Sequence, residues 1–195
     1  LTVSGLLNQT VGGPSVRPYQ PEEHFAGKTG RKWKQSTGRD LYRRGLYTYF
    51  KRTAPHSTLM AFDCPDSNTT NVDRPRSNTP LAALISLNNE VFVEAAQSLA
   101  QRVLAASAAE IRGGTAESSD TAASVDSKRL AHAFQFCVAR RPKPAELAAL
   151  QSLLDRNRQR FSNEPEQSEK LVAKYGTDQV TAAENAAWVA TVRII

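Results

Sequence analysis

Cysteine is scarce in this chain: Cys64 and Cys137 are two among 195 residues, far apart and in no paired motif. That spacing excludes a haem-attachment Cys-x-x-Cys-His and a zinc-type cluster. The pair reads as unpaired buried thiols, with a disulfide left open for an oxidising compartment. Long apolar runs are missing too. None approaches the roughly 18 residues of a membrane span, so no membrane span is expected, and no signal-peptide pattern is present. Methionine occurs once, at Met60, and the chain opens on Leu1 and closes on the apolar run Trp188–Ile195. Both ends therefore read as cuts in a longer polypeptide. No internal repeat occurs, and no alternation is long enough to require a sheet.

Catalytic signatures are equally thin. His24, His56 and His132 do not cluster in sequence. His56 has Asp63 and Asp66 nearby in sequence, yet no nucleophile motif accompanies it. Gly12-Gly13-Pro14-Ser15 lacks the Lys-Ser/Thr pair and following helix of a P-loop, and reads as a tight turn. No catalytic residue, metal ligand or cofactor site is assigned to this chain.

What is present is uneven charge. Residues 1–80 carry 12 Lys+Arg against 6 Asp+Glu, and residues 81–195 carry 13 against 13, so the net charge of +6 lies in the first part. Lys28–Arg52 holds nine basic residues to one acidic, and residues 1–80 hold eight of the fourteen aromatics. Basic residues interleaved with aromatics suit nucleic acid, an acidic polysaccharide or an acidic protein face. The plainer reading is a solvated cationic face over a small aromatic core.

The organisation divides at about residue 78. Glycines and prolines punctuate residues 1–40 too often for long elements. Leu41–Arg52 carries Tyr42, Leu46, Tyr49 and Phe50 at helical spacing, so a helix is predicted there, ended by Pro55. Residues 55–78 read as a long irregular loop, which must be pinned or functional. Arg74 and Arg76, bonded to carbonyls or to Asp63 and Asp66, are the expected pins. Arg43, Arg44, Tyr47, Arg52 and His56 are the candidate ligand-binding set, because a guanidinium fork holds carboxylate or sulfate bidentately.

From Thr79 onward the signals are helical. Thr79-Pro80 reads as an N-cap with proline at the first helical position, and Asn88-Asn89 as a turn or kink. Further helices are predicted over Val91–Ala106, Asp126–Arg140, Pro144–Phe161 and Pro165–Tyr175, and after a Thr181/Glu184 capping box. Residues 113–124 read as a flexible loop. Leu84, Phe92, Leu99, Leu130, Phe134, Leu150 and Trp188 are the expected bundle core, with Cys137 and Val138 also facing inward. The fold class is mainly α: one domain, 1–195, with an irregular basic part (1–78) packed on a helical bundle (79–195).

Longer motifs carry a resemblance. SGLLNQTVGGPSVRPYQP (Ser4–Pro21), STGRDLYRRGLYTYFKRTAPH (Ser36–His56), FDCPDSNTT (Phe62–Thr70), RSNTPLAALISLN (Arg76–Asn88), FVEAAQSLAQRVL (Phe92–Leu104) and ARRPKPAEL (Ala139–Leu147) look like the planctomycete cytochrome-c-associated family. They resemble its C-terminal domain of unknown function 1553. The chain departs from that pattern at Asn71–Arg74, where relatives commonly have Cys then Arg-Arg, and at Ala82, where Gln is frequent. The resemblance implies an exported, extracytoplasmic multidomain protein, with haem only on a domain upstream. It supplies no catalytic residues. The expected role is a non-catalytic binding or scaffolding domain, partnered by the upstream domains of its own polypeptide. The alternative is an enzyme domain acting on an acidic or sulfated polysaccharide. The exported setting argues against nucleic acid as a partner.

Overall fold

The computed structural model describes residues 1–65, 70–73, 75–106, 122–172 and 180–195. Among these the chain is mainly α, with eight α-helices and no strand. The helices are α1 (Glu22–Thr29), α2 (Ser57–Ala61), α3 (Pro80–Asn88), α4 (Glu90–Ala105), α5 (Ala122–Val138), α6 (Pro144–Asn163), α7 (Pro165–Val172) and α8 (Ala182–Val192). The chain forms two compact units, Leu1–Thr2 with Leu6–Val93, and Val3–Gly5 with Glu94–Ile195. The division thus falls inside α4.

In the first unit the predicted Leu41–Arg52 helix is absent. Two short 3-10 turns, Gly38–Tyr42 and Gly45–Tyr47, stand in its place. The segment instead runs beside the chain start through isolated parallel bridges, Asn8 to Arg43 and Val16 to Thr48. The Val16 N–H donates to the Tyr47 carbonyl at 2.8 Å, and the Tyr49 N–H to Val16 at 2.7 Å. Those pairings take up backbone groups that a helix would have satisfied internally. The punctuated front also holds an eight-residue helix, α1, and the 55–78 loop contains α2.

A small aromatic core forms around Trp33, with Phe25, Ala54 and half-buried Tyr49 against it. The Phe25 and Trp33 rings meet edge-on at 5.0 Å between centroids, a favoured arrangement of ring quadrupoles. The Trp33 indole N–H donates to the Pro18 carbonyl at 2.8 Å. Helix α3 starts as its sequence says: the Thr79 hydroxyl accepts from the Ala82 N–H at 3.1 Å, with Pro80 first in the helix. It ends at Asn88, where the turn was expected.

Leu84 and Phe92 are corrections to the expected core. They are 57% and 36% exposed, and both lie in the first unit, where Phe92 packs on Phe62 at 5.8 Å between ring centroids. Helix α3 is apolar nearly all round, so helical periodicity cannot mark one face of it as the inner one.

The second unit is the helical bundle. Helix α8 lies against α6 and α7, and α5 packs on α6. Leu99, Val103, Leu130, Leu154, Phe161 and Trp188 are among its buried side chains. Phe134 is buried and Leu150 packs partly buried on the core. Cys137 is half-buried there, whereas Val138 is 40% exposed at the helix end. Alanines let α8 sit centrally, with Ala186 and Ala187 fully enclosed. The Val3–Gly5 strip is tied to α4, since the Ser98 hydroxyl donates to the Ser4 carbonyl at 2.8 Å and Arg102 to that of Val3. The Arg102 stem crosses Gly5, which has φ +78°, at 3.2 Å from where a Cβ would sit, so glycine is needed there twice over.

Helix starts are secured locally. The Glu146 carboxylate accepts from the Lys143 N–H at 2.7 Å and receives a bidentate Arg140. Those hydrogen bonds, Arg140's first, pull the Glu146 carboxyl down to about 2. The Thr181/Glu184 box is only half formed. Thr181 accepts from the Glu184 N–H at 3.3 Å, but the Glu184 carboxylate is turned to Arg158 at 2.6 Å and to the Trp188 indole at 2.8 Å. Residues 113–121 of the expected flexible loop lie outside the described residues, and α5 begins at Ala122.

Candidate functional site

The candidate cationic region lies in the first unit, and the structure sorts its arginines into two kinds. Arg43 is buried at 7% exposure. Its guanidinium donates to the carbonyls of Thr10 (3.0 Å), Gly12 and Pro14 (3.2 Å) and lies 3.7 Å over the Tyr47 ring. The Tyr47 hydroxyl accepts from the Gly12 N–H at 2.9 Å. Arg43 and Tyr47 therefore clamp the Gly12-Gly13 turn from the inside. Both glycines have positive φ, 81° and 87°, a conformation that disfavours other residues.

Arg44, the next residue, is exposed, as are Lys28, Arg31, Lys32, Lys34 and Arg39. These six form no ion pair among the described residues. The contrast with the second unit is sharp. There Arg158 holds Asp126 at 2.7 Å and Glu184 at 2.6 Å, and Arg140 holds Glu146 at 2.7 Å. Arg140 and Arg158 of the second unit thus meet carboxylates, whereas these six cations of the first unit lie at the surface. Arg52 is also exposed and engaged with a neighbour. The aromatic residues of this stretch are mostly committed: Trp33 and Phe25 are buried, and Arg17 lies 4.5 Å over Tyr49. Phe50, 45% exposed, and Leu46, 85% exposed, are the large apolar side chains left at the surface of the 41–52 segment.

His56 is 6% exposed and sits edge-on to Trp33, 6.0 Å between ring centroids. Its Nε2 lies 3.0 Å from the Tyr19 carbonyl, which can only accept, so the neutral ring carries its proton there. Nδ1 is buried and has no partner among the described residues. Protonation would place a second N–H where nothing receives it. Burial accordingly lowers the His56 pKa below its ordinary 6.5, the bond to Tyr19 opposes this, and nearby His24 adds to the depression. A lowered folded pKa means that the contribution to stability is complete above about 6.5 and is lost as pH falls through the folded value. Ring resonances of His56 should titrate with a midpoint below 6.5 in the folded chain. A midpoint at or above it would contradict this placement.

The expected loop pins divide as follows. Asp63 accepts the Ser77 N–H at 2.7 Å and its hydroxyl at 2.7 and 2.8 Å. Asp63 has φ 58°, a left-handed conformation that Asp tolerates better than most residues. Arg76 is exposed and bonds no described residue. Asp66 and Arg74 lie outside the described residues. Ser77 was missed by sequence reasoning, because a short hydroxyl gives no signal until the turn that faces it is known.

Among the described residues no three His, Cys, Asp or Glu side chains gather to hold a metal ion. Cys64 and Cys137 are free and half-buried. No described helix is long and apolar enough to cross a membrane. No curated protein and no solved structure matches this chain. Over residues 1–154 it matches the family PSD1, described as a protein of unknown function (DUF1553), and it belongs to that family.

Proposed function

We propose that the chain is a non-catalytic accessory module of a larger, exported, cytochrome-c-associated polypeptide, binding an anionic polysaccharide through the first unit. The observation that carries this reading is the set of exposed cations, Lys28, Arg31, Lys32, Lys34, Arg39 and Arg44, without ion pairs among the described residues. Cations left unpaired beside a clamped, irregular backbone keep their donors for a charged polymer. Exposed Phe50 offers a face against which a sugar ring can lie. The setting, with its haem-bearing upstream domain and extracytoplasmic location, rests on the resemblance of the Ser4–Pro21 and Ser36–His56 motifs. Catalysis on the same polymer has less support, since His56 is turned to a backbone carbonyl and enclosed.

The test is a titration with neutral, carboxylated and sulfated glycans at two salt concentrations. Sulfated glycan should bind most tightly, and binding should weaken with salt, because exposed charges are screened beyond about 8 Å at physiological ionic strength. Changing Arg39 and Arg44 together to Ala should weaken binding roughly fivefold, as expected for two exposed charge contacts. Equal affinity for all three glycans would leave a purely scaffolding role.

A further inference from the structure

The bundle contains a cavity that the cationic face does not involve. Helices α4 and α5 line an open cavity of about 520 Å³, with Leu99, Arg102, Val103 and Ala105 on one side and His132 and the 42%-exposed Phe136 on the other. That volume lies within the roughly 300–1,000 Å³ of small-molecule sites. Its floor is apolar, since Leu99 and Val103 are buried. Its polar groups are few, and they converge on one ring. The Arg102 guanidinium stands 4.9 Å from the Phe136 centroid, and the His132 ring stands 5.1 Å from it.

Both polar groups have donors to spare. Arg102 spends one terminal nitrogen on the Val3 carbonyl, and its stem is fixed across Gly5. Nε and the other terminal nitrogen bond no described residue, and neither does the His132 imidazole. A guanidinium held at one end presents its other edge already oriented, so little side-chain entropy is lost on binding. Among the described residues that line the cavity none is acidic.

We propose that this cavity binds a small amphipathic monocarboxylate. The carboxylate is received by Arg102 and His132, and the hydrocarbon lies on Leu99, Val103 and Phe136. Charge selects the head group, because a cation or an alcohol leaves the guanidinium edge unanswered. The apolar floor selects the tail, at about 0.8 kcal/mol per buried methylene.

The experiment titrates the full chain with octanoate, octanol and octylammonium by calorimetry. Octanoate should bind saturably at one site per chain, with octanol about tenfold weaker and octylammonium not binding, the difference expected for losing a charge-assisted bond. Arg102→Met keeps the stem over Gly5 and should lose octanoate binding about tenfold. Ala105→Trp, at an exposed lining position, should fill the cavity while keeping the Arg102 guanidinium. The circular dichroism spectrum identifies any variant that has lost its helices, and Ala105→Trp serves where Arg102→Met does not fold. Absence of saturable octanoate binding, equal binding of octanol, or unchanged binding by Ala105→Trp would each overturn the proposal.

Discussion

Changing Trp188 to Ala is expected to destabilise the chain by about 3–5 kcal/mol, the cost of emptying a fully enclosed large aromatic site. Trp188 is 0% exposed at the centre of α8, among Leu130, Leu154 and Phe161 of the same core. Its indole N–H also donates to Glu184 at 2.8 Å, and Glu184 in turn receives Arg158. The truncation would thus open a void and remove one donor from the carboxylate. Trp188→Phe keeps most of the volume while losing the N–H and part of the ring, so it should cost less, about 1–3 kcal/mol. Urea unfolding of the three proteins measures this. If Trp188→Ala unfolded at the parental midpoint, α8 would not be the centre of the bundle.

Arg43→Met is the second large effect. It is expected to cost about 1.5–3 kcal/mol, because the carbonyls of Thr10, Gly12 and Pro14 lose a charged donor. The stem and part of the contact with Tyr47 survive in Met, so the loss reads the guanidinium itself. Arg44→Ala, one residue on and exposed, should stay within about 0.5 kcal/mol of the parent. Thermal melts of both variants decide the matter. Equal shifts in the two would mean that the clamp on Thr10, Gly12 and Pro14 is not what holds this segment. The pair also divides stability from binding: glycan affinity should follow Arg44 with Arg39, and melting should follow Arg43.

Signals confined to a few neighbouring residues were legible from the sequence. Thr79-Pro80 starts α3 and Pro144 starts α6 where they were expected, since a cap bonds only to groups within one turn. Bundle positions such as Leu99, Leu130, Phe134 and Trp188 followed from amphipathic periodicity. The same reasoning misread 41–52. Its aromatics fall at helical intervals, yet Tyr42, Tyr47 and Tyr49 are placed by backbone pairing with Asn8 and Val16, more than thirty residues earlier. Periodicity carries no information about a partner so distant. The Thr181/Glu184 box is half formed for a related reason: Thr181 caps the helix, but Arg158, from another helix, takes the Glu184 carboxylate.

The candidate site shows where local information stops. Sequence alone determined that the class is mainly α, that the surplus positive charge is concentrated before residue 80, and that the chain resembles DUF1553. It could not divide Arg43 from Arg44, which are adjacent and chemically identical. Tertiary structure alone turned Arg43 inward onto three carbonyls and Tyr47, and left Arg44 in water. The cavity beside Arg102 has the same origin, because it exists only where α4 and α5 face each other. Composition and spacing fix which groups a chain carries and which helices it can start. Which side of the surface a group occupies depends on contacts between distant segments, and those follow from packing the whole unit.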